Sequence, residues 1–353
     1  MIVAIIAGGA GTHLWPLSTP EYPKHLLTPS GKRSLVQLAY DRALLLTTPD
    51  KIYIVTEISH AHRVKEQISE LSDTNFIVEP GRRNTSGCLL AVLERVAKEG
   101  NSDEPIAITW ADHAVKDTRA FAHAFKVAGR ATEKYRLPVF IGVEPTHPTT
   151  VLGYIHKAEL MPGEDMVYRA AGFKEKPDRE LAQKFFDSGE YLLNCGYLVG
   201  TLNAFIDALK ADCPDLWRDY RALAATKSRK QYEAVYLGFK GIQLDYVFNE
   251  LLKNFLTLSG SFDWTDIGVF RDLYDVTPKD DNGNCILGEH NVVLHTSNSY
   301  VRNESDRPLV VIGLDNVIAV STPAGTVVAR KDLGHLVKDA VKELSNEHEG
   351  KVI

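Results

Sequence analysis

Residues 2–27, IVAIIAGGAGTHLWPLSTPEYPKHLL, join a short apolar run to a glycine-rich loop and then to a proline-flanked lysine. The apolar run at 2–7 is typical of a β-strand that is buried on both faces. Glycines after such a strand let successive backbone N–H groups approach an anion closely. Pro16 and Pro23 stiffen the following segment, which we expect to direct Lys24 toward the same anion. The stretch predicts a phosphate-binding loop; the alternative is a glycine turn followed by a solvent-exposed lysine.

The first 140 residues alternate between apolar runs and segments of helical periodicity. The apolar runs are at 2–7, 51–56, 75–79, 105–110 and 137–143, and the helical segments are at 35–46, 61–71, 86–99 and 119–135. This alternation predicts an α/β fold, with a Rossmann-like, mostly parallel or mixed sheet and helices on both faces. Ligands of such sheets bind at the carboxyl ends of the strands, which is where the glycine loop falls.

The sequence pattern changes in the second half of the chain. The predicted elements are longer strands over 150–200, helices over 201–255 and a charged amphipathic helix over 332–344. Beyond Pro278, the polar cluster KDDNGN (279–284) precedes several short β runs. We therefore predict a catalytic domain at 1–270 and a small β-rich C-terminal domain at 271–353 that ends in a helix. No internal repeat is strong enough to assign from the sequence.

The bulk composition narrows the class of protein. Lys and Arg number 40 and Asp and Glu 46, so the net charge is −6 and no global field favours nucleic acid or an anionic membrane. The four cysteines form no C-x-x-C pair, which argues against a disulfide framework and a zinc site. No run approaches the ~18 apolar residues of a membrane span. We expect a cytoplasmic protein whose positive charge is concentrated locally.

Two familiar phosphate-binding loops are excluded by single residues. The dinucleotide fingerprint G-x-G-x-x-G requires a glycine at the position of Leu14, which disfavours an NAD-dependent oxidoreductase. The P-loop pattern fails around Gly31-Lys32, because Leu26 stands where its first glycine is needed and Arg33 where a hydroxyl is needed.

Seven segments, in order along the chain, resemble the motifs of the sugar-1-phosphate nucleotidyltransferases, and in particular their mannose-1-phosphate guanylyltransferase branch. They are GGAGTHLWPLS…YPKHLL (8–27), EPGRRNTSG (79–87), WADHAVKD (110–117), GFKEKPD (172–178), LNCGY (193–197), LDYVFNE (244–250) and DWTDIGVF (263–270). The tail at 286–340 also resembles the small C-terminal domain of this branch. The resemblance implies a nucleotide-diphospho-sugar transferase fold, GTP and mannose 1-phosphate as substrates, and GDP-mannose and pyrophosphate as products. It also allows a homodimer, because the small domain of such enzymes often packs against a partner subunit, but the sequence does not give the oligomeric state.

The same resemblance implies a role for individual residues. The nucleotide site would comprise Gly8, Gly9, Gly11, Glu79, Arg83, Asn84 and Asp112, and the catalytic residues would be His13, Lys24 and Lys176. Asp112 and Asp266 would hold Mg²⁺, which prefers one or two carboxylates together with phosphate oxygens and water. Each aspartate could instead be an ordinary surface or capping residue, and the pair Arg82-Arg83 an ordinary loop before a helix.

For the sugar phosphate, the resemblance implies a site of five residues. They are Gly153, Glu175, Lys176, Asn194 and Asp245. Glu175 would accept from ring hydroxyls, Lys176 would bind the phosphate, and Gly153 would leave room for the sugar. The Glu-Lys pair could instead be a solvated salt bridge, worth only about 0–1 kcal/mol, and Asp245 could be a helix cap.

His13 departs from the family motif, which has an arginine directed at the triphosphate. Imidazole has neither a permanent charge nor a bidentate fork and titrates near pH 6.5, although an adjacent triphosphate would favour its protonated form. We expect an enzyme that works more slowly, or loses activity more sharply at alkaline pH, than an arginine version. Two alternatives remain: the same reaction with another hexose 1-phosphate or nucleotide, and a catalytically impaired homologue that binds a nucleotide sugar.

Overall fold

The computed structural model describes residues 1–9, 12–250 and 252–347. The strands are β1 (Ile2–Ala7), β2 (Ile52–Glu57), β3 (Phe76–Glu79), β4 (Ile106–Trp110), β5 (His113–Val115), β6 (Val139–Val143), β7 (Tyr154–Leu160), β8 (Val167–Lys174), β9 (Tyr191–Gly200), β10 (Leu256–Gly260), β11 (Trp264–Asp266), β12 (Cys285–Gly288), β13 (Asn291–Leu294), β14 (Tyr300–Asn303), β15 (Leu309–Ile312), β16 (Val317–Thr322) and β17 (Gly325–Arg330). The α-helices are α1 (Leu35–Ala43), α2 (Ala61–Gln67), α3 (Asn84–Lys98), α4 (Thr118–Tyr135), α5 (Arg179–Ser188), α6 (Leu202–Asp212), α7 (Pro214–Ala224), α8 (Arg229–Leu237), α9 (Leu244–Glu250), α10 (Phe270–Val276) and α11 (Val337–Glu347).

One mixed sheet of nine strands forms the centre of the described chain. Its order is β3-β2-β1-β4-β9-β6-β10-β8-β7. β1 lies parallel to both β2 and β4, whereas β9 runs antiparallel to β4 and to β6. The predicted α/β architecture with a mixed sheet is confirmed. Since β1 lies between two parallel neighbours, the loop that follows it opens at the carboxyl edge of the sheet.

The first strand is buried on both faces, as its apolar run predicts. Its even-numbered residues Ile2, Ala4 and Ile6 pack into one core cluster with α3 and α6. Its odd-numbered residues Val3, Ile5 and Ala7 pack into a second cluster with α1 and α4. Alternate side chains of a strand point to opposite faces of the sheet, so helices must cover both faces. This packing fixes where the strand ends and the glycine loop begins.

Several predicted element bounds are corrected by the structure. The segment at 150–200 is not strand throughout, because α5 follows Asp178, whose side chain accepts from the Leu181 backbone N–H and caps the helix. The predicted helix at 332–344 begins instead with a 3-10 segment, Lys331–Leu336, and is α-helical only from Val337. Gly334 allows the close packing of that segment, since a Cβ there would lie 2.9 Å from Ile318 Cδ1.

The C-terminal part is a small β-helix of short parallel strands. Its repeat was not assigned from the sequence. β12, β14 and β16 pair in parallel, with β17 antiparallel at one edge, and β13 pairs with β15 in a second small sheet. Val292 is opposite Val310 and Tyr300 is opposite Ile318. The two pairs share an offset of 18 residues, which a comparison of 291–303 with 309–321 in the sequence would have shown.

This β-helix packs against the segment that follows the glycine loop. Leu14 and Trp15 share a core cluster with Phe270, Tyr300 and Val337. A Cβ at Gly325 would lie 2.5 Å from the Trp15 ring, which shows how closely the tip of β16–β17 approaches it. The β-helix therefore supports the segment around Leu14 and Trp15, directly after the glycine loop. The division of domains at residue 270 stays a prediction.

None of the helices in the described ranges combines the length and the apolar character that crossing a bilayer requires.

Candidate active site

Lys24 and two aspartates form a compact charged cluster at the carboxyl edge of the sheet. Lys24 Nζ lies 2.8 Å from Asp112 Oδ2 and 3.4 Å from Asp266 Oδ1. It also donates to the backbone carbonyl of Ile267 over 2.7 Å. Three sequence segments that are far apart along the chain therefore meet at one point, as the predicted site requires.

A small two-stranded sheet brings the aspartates together. β5 and β11 pair antiparallel, with Asp266 opposite His113 and Trp264 opposite Val115. Asp112 immediately precedes β5, so this register sets the two carboxylates side by side. The sequence did not predict either strand as part of a separate sheet, because runs of three residues carry too little periodicity to recognise.

The electrostatics of the cluster favour charged side chains. Burial acts to raise the pKa of the Asp112 carboxyl, but the positive charge of Lys24, with contributions from His113 and His25, outweighs it and lowers the pKa to about 2. Burial likewise acts to lower the pKa of Lys24, and Asp112 and Asp266 outweigh it, so the net shift is upward. Asp112 and Lys24 are therefore both ionised at neutral pH.

The cluster also fits a divalent cation. Ligand atoms of Asp112, His113 and Asp266 lie within 4.8 Å of one another. However, Trp264 Nε1–H can only donate, and it lies 3.1 Å from His113 Nδ1, so that nitrogen accepts. The neutral ring then carries its proton on Nε2, the nitrogen that faces Asp112 Oδ1 at 3.9 Å. The side chains that remain as metal ligands are the two carboxylates, and carboxylate oxygens suit a hard cation such as Mg²⁺.

His113 is held in a buried aromatic environment that the sequence did not reveal. Its ring packs edge-on against Tyr197 and Trp264. Burial, as the largest influence, lowers the pKa of His113. The buried Arg42 guanidinium donates to the His113 carbonyl over 2.9 Å. These contacts fix the backbone next to Asp112 and so position its carboxylate.

The glycine loop is open toward solvent. A Cβ at Gly8 or Gly9 would meet nothing within 4 Å, and Gly9 has a φ of +101°, which favours glycine. Gly11, predicted as part of the same loop, lies outside the described residues. His13 is exposed next to the loop. Partial burial first, then the charges of Lys338 and Lys24, lower the pKa of His13, while Asp266 opposes them.

The residues predicted to hold the sugar phosphate form a second group. The Gly153 carbonyl accepts from the Asn194 N–H over 2.8 Å, and Asn194 Nδ2 donates to Asp245 Oδ1 over 3.0 Å. Lys176 Nζ lies 3.2 Å from Glu175 Oε1. A Cβ at Gly153 would lie 2.6 Å from Glu175 Oε2. The structure thus brings the five predicted positions together around Glu175.

Two features of this group follow from local backbone geometry. Lys176 adopts a φ of +42°, an uncommon left-handed conformation for a residue with a side chain. In β9, the pairing with β6 shifts register so that Gly142 faces Asn194 while Ile141 faces Tyr197. Asn194 Oδ1 accepts from the Gly196 N–H over 2.9 Å and holds this bulge. The motif Asn-Cys-Gly therefore re-aims the strand beside the pocket.

Asp245 lies inside α9, as its second residue, and its role in the sugar site stays a prediction. It lies in the first turn of α9, a favourable place for a carboxylate. Burial, and next the negative charge of Glu175, raise the pKa of Asp245. Two carboxylates that repel each other in a partly buried pocket suit a ligand that brings hydrogen-bond donors.

Glu79, Arg83 and Asn84, which the resemblance assigns to the nucleotide site, are less clearly grouped than the sugar-site residues. Glu79 is buried, and its Oε1 accepts from Tyr236 Oη and from Cys88 Sγ, so it does not face open solvent. The Arg83 guanidinium donates to the carbonyls of Leu237 and Arg82. Asn84 Nδ2 donates to the Gly241 carbonyl over 3.0 Å.

These contacts link the end of β3 to α8 and to the segment that precedes α9. The Glu79 carboxylate joins β3 to Tyr236 of α8 and Cys88 of α3 in this arrangement, and its assignment to the nucleotide site stays a prediction. Tyr236 was missed from the sequence, because a tyrosine in a helical stripe gives no signal of a partner 157 positions away.

An α/β sheet with a glycine loop, a lysine and two carboxylates at its carboxyl edge defines a phosphate-handling enzyme. The chain matches the model of the family described as nucleotidyl transferase over residues 2–283. It is 32% identical over 357 residues to the alginate biosynthesis protein AlgA of Pseudomonas putida, covering 98% of this chain and 72% of that protein. It is 31% identical over 359 residues to the mannose-1-phosphate guanylyltransferase of Escherichia coli, covering 98% of this chain and 75% of that protein.

A solved structure shares the fold over nearly the whole chain. The crystal structure of a Thermus thermophilus protein described as a mannose-1-phosphate geranyltransferase superposes with a TM-score of 0.85 and 29% identity, covering 98% of this chain and 99% of that chain. The protein belongs to the nucleotidyl transferase family, and it is a nucleotidyltransferase enzyme.

Proposed function

We propose that this enzyme transfers the guanylyl group of GTP to mannose 1-phosphate in a magnesium-dependent reaction, forming GDP-mannose and pyrophosphate. The meeting of Lys24 with Asp112 and Asp266 next to the glycine loop carries the proposal. The choice of base and sugar is supported by the relatives, since the Escherichia coli protein at 31% identity is named mannose-1-phosphate guanylyltransferase.

The proposed reaction is a single in-line displacement. A phosphate oxygen of mannose 1-phosphate attacks the α-phosphorus of GTP, and the bond from that phosphorus to the oxygen bridging toward the β-phosphate breaks. The leaving pyrophosphate takes the electron pair of that bond. No covalent intermediate with the protein is needed, so catalysis depends on positioning and on neutralising crowded negative charge.

The residues divide this work between two binding regions. Backbone N–H groups near Gly8 and Gly9 receive the triphosphate, and the Lys24 ammonium neutralises charge where the two phosphates meet. Lys176 binds the phosphate of the sugar, while Glu175 and Asp245 accept from sugar hydroxyls. Asp112 and Asp266 would hold the Mg²⁺, which when bound supplies additional neutralisation of the phosphate oxygens.

The direct test is pyrophosphate release by the purified protein. GTP, ATP, UTP and dTTP are each combined with mannose 1-phosphate or glucose 1-phosphate, with Mg²⁺ and with excess EDTA. We expect GTP with mannose 1-phosphate to give the highest kcat/KM and EDTA to abolish release. A higher kcat/KM for another pair would assign the same chemistry to different substrates. Binding of GDP-mannose without release from any pair would contradict the proposed activity and favour an impaired homologue.

A further inference from the structure

The C-terminal helix α11 packs directly on the turn that contains His13. Val337 and Val341, one turn apart on α11, belong to the same core cluster as Leu14 and Trp15. The 3-10 turn Thr12–Leu14 and α11 are in contact. Apolar side chains therefore hold the helix against the segment that follows the glycine loop.

This packing sets Lys338 beside the loop. Lys338 follows Val337 immediately and is exposed. It lies close enough to His13 that its charge lowers the pKa of the imidazole, and its effect is larger than that of Lys24. Lys24 itself is already held by Asp112 and Asp266. Within the part of the chain that the structure describes, Lys338 has no ion-pair or hydrogen-bond partner.

We propose that Lys338 binds the polyphosphate of the nucleotide and supplies the permanent positive charge that His13 does not provide. The inference rests on the proposed function, because it concerns the triphosphate of the same reaction. A lysine ammonium is a point charge on a flexible four-carbon stem, so it reaches a phosphate without the fixed geometry that a guanidinium requires. The C-terminal region thus contributes a phosphate-binding lysine to the nucleotide site and also packs against the segment next to it.

The charges around His13 indicate what kind of ligand would bind next to it. The charged groups that act on His13 are Lys338, Lys24 and Asp266. Of these, Asp266 forms an ion pair with Lys24. Lys24 is paired with two carboxylates, and the lowered pKa of His13 favours its uncharged form, so the ammonium of Lys338 is the positive charge that is available to a polyanion here.

The experiment compares Lys338→Ala with Lys338→Arg and with Lys342→Ala. Lys342 lies one turn further along α11, is also exposed, and serves as the matched control. The dissociation constant of GTP is measured by calorimetry with Mg²⁺ at low and moderate salt, and thermal unfolding confirms that each variant is folded. We expect Lys338→Ala to weaken GTP binding about tenfold, Lys338→Arg to restore most of the affinity, and Lys342→Ala to match the wild type.

Steady-state kinetics separate a binding role from a structural one. We expect Lys338→Ala to raise KM for the triphosphate about tenfold and to leave KM for the sugar phosphate unchanged. Adding His13→Arg to Lys338→Ala should recover part of the loss. If Lys338→Ala binds GTP as the wild type does, the inference is wrong while the proposed function stands. If the wild-type protein binds GTP but releases no pyrophosphate with any sugar phosphate, the proposed function fails, and the binding data still decide the role of Lys338.

Discussion

Lys24 Nζ lies between Asp112 and Asp266, 2.8 Å from Oδ2 of the first and 3.4 Å from Oδ1 of the second. The lysine compensates one of the two negative charges, so the cluster keeps a net negative charge that favours a divalent cation, and the aspartate side chains remain 25% and 42% exposed. In a protein with a net charge of −6, phosphate esters would approach these carboxylates only together with a bound cation.

Removing the charge of Asp266 should impair the chemical step. We expect Asp266→Asn to lower kcat by about a hundredfold or more, because the site loses one of its two carboxylates for a divalent ion. The Mg²⁺ concentration needed for half-maximal rate should rise. Asp263→Asn, an exposed change just before β11, is the control and should retain full activity. A fully active Asp266→Asn with unaltered Mg²⁺ dependence would contradict the assignment.

Adding one methyl group at Gly153 should disturb the sugar pocket. A Cβ there would lie 2.4 Å from Phe173 Cζ and 2.6 Å from Glu175 Oε2, so the carboxylate must move. Since small displacements in a site can cost up to about a hundredfold, we expect Gly153→Ala to raise KM for the sugar phosphate about ten- to a hundredfold. The KM for the triphosphate should change little. Gly172→Ala, where a Cβ meets nothing within 4 Å, is the control. Equal kinetics for both variants would refute this role.

His13 should limit the enzyme at alkaline pH. Burial, Lys338 and Lys24 lower the pKa of His13 below its usual 6.5, so in the free enzyme the imidazole is neutral at pH 7 and above. We expect His13→Arg to lower KM for the triphosphate about tenfold, with the larger gain at pH 9 than at pH 6, because an added charge-assisted hydrogen bond is worth about 1.5–3 kcal/mol. Turnover of both proteins is measured between pH 6 and 9. Superimposed profiles with no gain in rate would show that the histidine is not limiting.

The buried carboxyl of Glu79 should make stability depend on pH. Burial raises the pKa of Glu79 above its ordinary value of 4.5, although hydrogen bonds from Tyr236 and Cys88 oppose the shift. A carboxyl with a raised pKa in the folded state stabilises the fold fully below its unfolded pKa, and that contribution is lost as pH rises through the folded pKa.

We therefore expect the unfolding free energy of the wild type, relative to Glu79→Gln, to fall as pH rises above about 4.5. Urea unfolding at several pH values measures this difference. Glu66→Gln, at an exposed position on α2, should show no comparable trend. A wild-type advantage that grows with pH would reverse the sign and contradict the assignment.

The sequence predicted the catalytic sheet more accurately than the connections around it. The run at 2–7 matches β1 residue for residue, because a strand buried on both faces carries an uninterrupted apolar signal. The helix predicted at 332–344 was misplaced at its start, because the 3-10 geometry of Lys331–Leu336 depends on the packing of Gly334 against Ile318. A packing partner that distant leaves no local pattern to recognise.

In the candidate site, too, the sequence predicted some residues, whereas other contacts depend on packing between distant elements. The resemblance to the family motifs predicted site roles for Lys24, Asp112 and Asp266, and the structure brings their side chains together. No sequence pattern indicated that Tyr236 donates to Glu79, or that Lys338 approaches His13, because these contacts join elements that are far apart along the chain.

The order of apolar runs, glycines and charged residues by itself determined the fold class and the type of chemistry, because strand burial and phosphate binding each demand particular residue types at short spacing. The tertiary structure alone decided which charges meet. The register of β5 against β11 sets two aspartates around one lysine, and the docking of α11 adds a second lysine to the loop. Electrostatic attraction and repulsion act through space and not along the chain, so only the folded arrangement reveals which groups neutralise each other.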